Sequence, residues 1–570
     1  MAPPDARSAR ITGDYAPKDL TLRVPWLSVA DYQEADKWKE LNVEGADLRP
    51  QTFTVYSPLT IDTSDGLPAD WKPDVNLGLY TYFWGGNVSS IATRGALTVD
   101  GSQMLSTGRL TQLYNLFACR SNRNRTATGY TDFFASLINQ GQMRADQVTT
   151  ELRFYPEKWE YLSFPFDARV GDIEVLVDGV KQPLSEVPFV IYGYDCAKRA
   201  EGNLDGAWVR MTADSTLHAG RGYIWQTTLG EEMTSLGTPH SQFLVNAVQN
   251  ATKPLYFRSG DVETTLDRHY SEFAHNRSWN FIGNPYPAFF DIRYMDTTAP
   301  IIVQEYTYYG GRYAAYSPLD DYYALHPGQA FFIQRPLDSE SVIFHQEGRQ
   351  HSIAQRDYIA AGTRRTAQPQ RQVFNLELIT NEPYDFLDRT RFVINPTASL
   401  SYEQARDAAK FDSPGAAELY THHDGIRYAI NERPFGTGEV SLGLRVPTEG
   451  TYTLSAAVPA ASPAGSAAVP AVSPSGAAAV PAASPAGSIT LIDLKTGTET
   501  NLSERPYTFQ AEAGTTDNRF LIRLGDGTPT AAPSVAVSQQ PSQLYDLQGR
   551  RIASPQPGIY IKDHQKVIIK

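Results

Sequence analysis

Four groups of residues in this 570-residue chain have types and spacings that could support chemistry. His218 and His326 hold matching places in Leu217-His218-Ala219-Gly220 and Leu325-His326-Pro327-Gly328. Each stands two residues before a glycine, so a surface turn or cap is expected ahead of metal ligation. His422-His423-Asp424 runs into Gly425 and reads as a polar turn. Asp320-Asp321 is an acidic pair flanked by Tyr316, Tyr322 and Tyr323. Glycoside hydrolysis needs two carboxylates roughly 5–10 Å apart across a cleft. Neighbours on a strand point to opposite faces, which makes this pair a poor acid–base couple. A cation-binding role would need company from an Asp-x-Asp-x-Asp-Gly loop, and the sequence has none. The last group is aromatic: Tyr306, Tyr308, Tyr309, Tyr316, Tyr322 and Tyr323 could form a platform for a glycan, whereas the tryptophans are expected in cores. The chain has no Gly-x-Ser-x-Gly, no His-Glu-x-x-His and no phosphate-binding glycine loop. Hence no catalytic residue, cofactor or metal ligand is assigned.

The elements that must carry these residues are β-strands. The chain contains 42 Gly, 38 Pro and 32 Tyr, and Thr and Val are frequent, which favours short strands with many turns. Hydrophobic residues make up 41%, enough for globular cores, and the length fits roughly three to four domains. The net charge of −13 argues against nucleic acid or an anionic membrane as the main partner. No apolar run approaches the ~20 residues of a membrane span. Cys119 and Cys196 are the only cysteines, too few for a disulfide framework, and two independent thiols are expected.

Residues 1–150 form a mixed region. Ser28-Val29-Ala30-Asp31 resembles a capping box and predicts a short helix to Leu41. From Thr52 the texture is short strands and turns, which could be the last coils of a β-solenoid or part of a sandwich. Residues 151–360 contain a diverged internal repeat. One copy opens with Trp159-Glu160-Tyr161-Leu162-Ser163-Phe164-Pro165-Phe166 and closes with Leu217-His218-Ala219-Gly220-Arg221-Gly222-Tyr223-Ile224. The other opens with Trp279-Asn280-Phe281-Ile282-Gly283-Asn284-Pro285-Tyr286 and closes with Leu325-His326-Pro327-Gly328-Gln329-Ala330-Phe331-Phe332. A tryptophan followed by alternating bulky residues is a half-buried strand. Two copies could form two sandwiches or the halves of one jelly roll; one large double unit is the preferred reading.

Residues 370–526 read as a further β-sandwich, with strands at Val373 to Ile379, Asp388 to Ile394, Arg427 to Ile430, Val440 to Leu444, Thr451 to Leu454, Ile489 to Leu494, Tyr507 to Ala511 and Phe520 to Leu524. Ser401-Tyr402-Glu403-Gln404 predicts a short helix to Phe411. Three 11-residue Ala/Pro/Ser copies, starting at Ser455, Ser466 and Ala477, make up the insertion at 455–488 but for its last residue and are expected to expand a hairpin loop. A long insertion at an exposed tip costs little because loop closure grows only logarithmically with length. Residues 527–542 are a polar linker. In 543–570, Gly558-Ile559-Tyr560-Ile561-Lys562 and Lys566 to Lys570 are expected to pair as a hairpin across Asp563-His564-Gln565. Arg550, Arg551, Lys562, Lys566 and Lys570 make this end basic on an acidic protein.

That end resembles the C-terminal sorting domains of type IX secretion cargo and related surface proteins, in a short variant. The matching residues are Tyr545-Asp546, Gly549-Arg550, Gly558, Tyr560, Lys566-Val567 and Lys570. A full sorting domain starts with a further strand, where this chain has the polar stretch Ser534 to Ser542. The repeat markers W-x-x-x-x-x-P-[FY] and L-x-x-G-x-[GA]-[FY]-[IF] resemble modules of large surface proteins from the same bacteria, as does the stretch Asp388-Arg389-Thr390-Arg391. These likenesses imply a secreted or surface-displayed chain that meets type IX export machinery outside the cytoplasm, with surface glycans or a host or matrix protein as partners. They carry no active site. The start of the sequence lacks an apolar signal region, which leads us to expect the C-terminal part of a larger protein. The sequence-level reading is an all-β protein of tandem antiparallel sandwich or jelly-roll modules with a solenoid remnant near its start. Its role would be adhesion, binding or display. A carbohydrate-active enzyme or glycan-binding accessory protein, and a pure export scaffold, are the alternatives.

Overall fold

The computed structural model describes residues 21–25, 29–35, 39, 41–46, 53–55, 59–62, 87–93, 96–100, 104–115, 135–153, 159–177, 180–186, 189–227, 242–248, 255–307, 310–355, 371–381, 384–434, 438–457, 488–525, 544–545, 551–552, 558–562 and 565–569. Strands dominate, and no helix among the described residues is long and apolar enough to cross a membrane. The helix near the start is Val29–Glu34, shorter than its sequence pattern suggests.

The first part is a parallel stack. Phe53–Val55, Asn87–Thr93, Met104–Asn115 and Gln142–Arg153 lie side by side, each parallel to the next. Leu59–Asp62, Ala96–Asp100 and Ser136–Asn139 form a second parallel set. Parallel neighbours cannot be joined by a hairpin, so the chain visits the two sheets in turn, as in a β-solenoid. Leu97 and Val99 point inward on alternate positions and meet Leu110, Tyr114, Leu137, Met143 and Val148 in one core. The stack is continued by antiparallel pairing: Gln242–Val248 and Leu255–Arg258 both bond to Gln142–Arg153. That pairing covers an edge that would otherwise present unpaired backbone groups.

The repeat is visible as two four-stranded sheets of matching order. In the first, Glu160–Leu162, Tyr223–Thr227, Phe189–Tyr194 and Trp208–Arg210 are neighbours. In the second, Trp279–Gly283, Ala330–Gln334, Ile301–Thr307 and Gly310–Tyr316 take the same places. The copies clasp each other reciprocally: Ser163 N–H donates to Gly328 O at 2.9 Å, and Gly283 N–H donates to Gly220 O at 3.0 Å. Gly220 and Gly328 have φ of +71° and +72°, the left-handed region where a side chain is strained. This is why the closing marker of each copy carries glycine there. On the pseudo-twofold, a Cβ on Gly283 would lie 2.0 Å from the Cβ of its counterpart Ser163, so only one of the two can carry a side chain. The sheets face each other through aromatic rings. Tyr161 and Phe281 lie 5.0 Å apart across the two sheets and Tyr194 and Phe332 5.0 Å, while Phe281 stacks on its cross-strand neighbour Phe332 at 4.4 Å. Each such pair adds roughly 0.5–1.5 kcal/mol beyond the area it buries.

The C-terminal module is an 11-stranded sheet in which Tyr384–Ile394 runs parallel to Ile426–Arg433. Phe374, Leu376, Phe392, Leu419, Leu442, Leu454, Leu491 and Phe520 are buried in it. Two sequence expectations change here. The strands beside the Ala/Pro/Ser insertion, Gly450–Ala457 and Ser488–Asp493, belong to this sheet without pairing to each other, so the insertion spans a crossover rather than a hairpin. The stretch from Ser401 to Phe411 is a series of turns rather than a helix. Its polar side chains hold backbone groups elsewhere: Glu403 accepts from Ser399 N–H at 2.9 Å, and Asp407 accepts from the N–H groups of Glu403 and Glu432, both at 2.8 Å. Ala408–Ala409 then pairs with Ile426–Arg433, so tertiary pairing wins over local helix signals.

The chain divides into two compact units, 1–477 with 489–523, and 478–488 with 524–570. The second contains an antiparallel sheet in the order Arg551–Ile552, Leu544–Tyr545, Gly558–Lys562, Gln565–Ile569. Lys562 pairs with Gln565, leaving a two-residue connection where the sequence suggested three.

Candidate functional site

The acidic pair and Tyr316 sit at a junction between the second copy and the C-terminal module. Asp320 and Asp321 are not on a strand: they close a turn after Ser317, and Asp321 accepts from Ser317 N–H at 2.7 Å. Both carboxylates therefore reach the same arginine cluster instead of opposite faces. Arg391 grips Asp321 through two bonds of 2.6 and 2.8 Å and gives its Nε–H to Asn375 at 2.7 Å. Arg371 binds Asp320 and also Glu432, the latter at 2.7 Å. Burial works against the Asp321 charge, but Arg391 and Arg389 outweigh it and hold its carboxyl below the ordinary value.

A second chain of charges runs beside the first. Arg312 joins Glu305 at 2.5 Å and Asp388 at 3.1 Å, and Lys410 reaches Asp388 at 2.5 Å. Arg312, Lys410 and Asp388 are almost wholly buried, and Arg312 lies over Phe386 at 4.5 Å. The sequence motif Asp388-Arg389-Thr390-Arg391 thus supplies one wall of the junction, and Glu305, Arg312, Asp320 and Asp321 supply the other. Removing one partner of such a buried pair typically costs about 3–5 kcal/mol because it leaves an uncompensated charge. These carboxylates are clamped as ion pairs, an arrangement that binds two modules together.

Of the expected aromatic platform, Tyr316 is taken up by the same junction. Tyr323 is 3% exposed and accepts from Gln329 Nε2 at 2.9 Å. Tyr316 is half-buried, donates to Glu305 at 2.6 Å and packs under Arg389. Tyr322 is half-buried and donates to Ile353 O at 2.7 Å. Tyr306 lies on the strand Ile301–Thr307, and Tyr308 and Tyr309 lie outside the described residues. Tyr316, Tyr322 and Tyr323 therefore do not offer open ring faces.

Among the described residues, two aromatic rings that face solvent lie elsewhere, on the connection from Asp267 to Ser278 between Val262–Thr265 and Trp279–Gly283. Tyr270 is 80% exposed and Phe273 59%. The backbone around them is tied down. Asp267 N–H donates to Asn280 Oδ1 at 2.7 Å, and Asn280 Nδ2 returns a bond to Asp267 O at 3.0 Å. Ser278 Oγ takes His269 N–H at 3.0 Å, Trp279 Nε1 donates to His275 O at 2.8 Å, and Gln334 Nε2 donates to the carbonyls of Ala274 and Arg277. Ser278 has φ of +50°, an uncommon conformation for a residue with a side chain. Sequence reading missed this site because Tyr270 and Phe273 stand among polar residues without alternation. The usable signal was two aromatics in a stretch that reads as a loop.

The histidines singled out in the sequence sit at turns. His218 is exposed, 3.8 Å from Asp167, and His326 sits beside its own turn with Nδ1 2.9 Å from Pro327 O. His423 contacts Asp424 at the positive-φ turn before Gly425. Asp261, His345 and Glu347 bring ligand atoms within 4.8 Å of one another. Asp261 already accepts from Gln346 N–H at 3.0 Å and meets His345 Nδ1 at 2.7 Å, contacts that fix the turn Gln346–Gly348. Cys196 is buried as a free thiol, and burial pushes its pKa up to about 11. Cys119 lies outside the described residues. Of the terminal motif, Tyr545, Gly558, Tyr560, Lys566 and Val567 lie on strands, with Tyr560 opposite Val567; Asp546, Gly549, Arg550 and Lys570 lie outside the described residues.

Comparison with family models, curated proteins and solved structures returned no match to this chain.

Proposed function

We propose that this chain is a secreted or surface-displayed, non-catalytic β-module protein with an adhesion, binding or display role. On this reading residues 543–570 act as the address that export machinery of the type IX class recognises, and the larger unit is the cargo held at the surface. The observation that carries the reading is the terminal motif itself, whose strand residues pair into a small sheet of their own in a unit separate from the larger body. A recognition element of this kind must be reachable independently of what it is attached to. The buried ion pairs support the cargo half: they join the double unit to the C-terminal module, as a stiff spacer requires. The partners that fit are surface glycans or a host or matrix protein.

The test is a fusion of Ser534 to Lys570 to a periplasmic reporter in a host with a type IX system. Appearance of the reporter at the surface or in the medium, lost when Lys566 to Lys570 are deleted, is the expected result. Retention in the periplasm overturns the address and leaves an ordinary terminal sheet.

A further inference from the structure

We propose that the connection Asp267–Ser278 is a carbohydrate-binding loop, with Tyr270 and Phe273 as stacking surfaces and Arg268 and Glu272 as the hydrogen-bonding rim for a pyranose ring. The inference rests on the binding side of the function proposed above and names its site and ligand class.

The argument starts from what the loop does with its groups. The N–H groups of Asp267, His269, Asn276 and Arg277 and the carbonyls of Asp267, Ala274, His275 and Arg277 are engaged within the loop or with Trp279, Asn280 and Gln334. Arg277 braces the loop from inside, donating through Nε to Ser271 O at 2.6 Å while its guanidinium lies 5.1 Å from the centre of the Tyr270 ring. One side of that ring is thus supported by a fixed cation, and the ring is still 80% exposed. The side chains of Arg268 and Glu272 are exposed and form no hydrogen bond or ion pair among the described residues. A loop held this firmly around rings that contribute little to any core is arranged for an external partner.

The chemistry selects among partners. A sugar presents a face of C–H groups to an aromatic ring and vicinal hydroxyls to a carboxylate or guanidinium at its edge. Tyr270 and Phe273 supply the first contact, and Arg268 and Glu272 the second. The rings are separated by Ser271 and the exposed Glu272 instead of being adjacent in the chain, which disfavours a protein interface built on a hydrophobic centre. The net charge of −13 disfavours a nucleic acid on the same rings.

The test uses the purified full chain on a printed array of neutral and acidic oligosaccharides, followed by calorimetric titration with the best-bound one. We expect at least one oligosaccharide to be retained. Tyr270→Ala with Phe273→Ala should weaken it tenfold or more, Tyr270→Phe should stay within roughly threefold, and Glu272→Gln should weaken it severalfold. The thermal midpoint of each variant, read alongside, separates lost binding from lost folding. An array on which the full chain binds nothing, or binding that the double alanine variant leaves unchanged, overturns the proposal. Loop-dependent binding of a protein with a blank array overturns it in favour of a protein partner. None of these outcomes bears on the reporter fusion, so the address and the binding loop stand or fall separately.

Discussion

Around Arg391 and Arg312 the side chains hold the molecule together. Each guanidinium has at least one carboxylate partner, almost no surface remains, and the Arg312–Asp388 and Arg391–Asp321 pairs cross between the second repeat copy and the C-terminal module. In the loop from Asp267 to Ser278 the arrangement is reversed. There the backbone is engaged, and Arg268, Tyr270, Glu272 and Phe273 extend outward. Buried ion pairs are costly to desolvate and are retained where they fix one geometry. Exposed aromatics add little to stability and are kept where something else meets them. The contrast separates residues that set the shape of the body from residues it displays, and mutation should tell them apart.

The largest loss is expected at the junction. Arg391→Ala leaves Asp321 buried without its bidentate partner and should lower the unfolding free energy by about 3–5 kcal/mol in denaturant titration. Asp388→Ala should act similarly through Arg312 and Lys410. A loss below about 1 kcal/mol would place these pairs with ordinary surface bridges.

Next comes the pseudo-twofold. Gly283→Ala forces a methyl onto Ser163 and should cost roughly 1–3 kcal/mol. Ser163→Gly in the same chain should recover part of that loss by removing the clash with Ser163, while the Gln329 carbonyl oxygen 3.0 Å from the added carbon keeps the remainder. Additive losses in the double variant would break the equivalence of the copies.

How far this was legible in sequence follows from the same residues. Gly220 and Gly328 could be matched because a left-handed turn restricts the residue that stands there. Trp159 and Trp279, with the alternation after them, marked the matching strands. The all-β class was readable from short strands and turns, whereas for the region near the start the same texture fitted both solenoid coils and part of a sandwich, and only the parallel pairing decides between them. The junction was half legible: Asp320-Asp321 and Asp388-Arg389-Thr390-Arg391 stood out, but no pattern said that residues about 70 positions apart would pair. The turn-versus-strand state of Asp320-Asp321 depended on that pairing. Tyr316 and Tyr323 look like a platform in sequence because a count of tyrosines does not distinguish a ring under an arginine or in a core from one in water. The helix expected at Ser401 failed because the Glu403 and Asp407 carboxylates satisfy backbone N–H groups outside a helix.

Acidity sharpens the comparison from inside the C-terminal module. Burial pushes the Asp407 carboxyl up to about 7, with the N–H groups of Glu432 and Glu403 opposing the shift only in part. Its ordinary value is 3.8, so between about pH 4 and 7 the folded chain keeps a proton that the unfolded chain releases. The stability this group contributes is full below pH 4, falls as pH rises through 7 and is level above that, a span on the order of 4 kcal/mol. Asp407→Asn should flatten the difference in unfolding free energy between pH 5 and pH 8. An unchanged slope would show that other groups set it. Asp321 works in the opposite sense: its lowered value gives stability above its ordinary range that is lost as acid protonates it.

The smallest effect on stability belongs to the loop. Tyr270→Ala with Phe273→Ala should change the unfolding free energy by no more than about 0.5 kcal/mol, as for surface positions outside the core. A loss comparable with Arg391→Ala would mean that the rings are structural and the contrast is false.

Hydrogen exchange across Asp267 to Arg277 in the full chain tests the central claim most directly, that a rigid backbone presents these rings. The amides of Asp267, His269, Asn276 and Arg277 are all hydrogen-bonded, and they should exchange orders of magnitude more slowly than an unstructured loop, close to the neighbouring strand Trp279–Gly283. Exchange at the rate of a free peptide would contradict the account, because a loop that opens that readily presents no fixed platform.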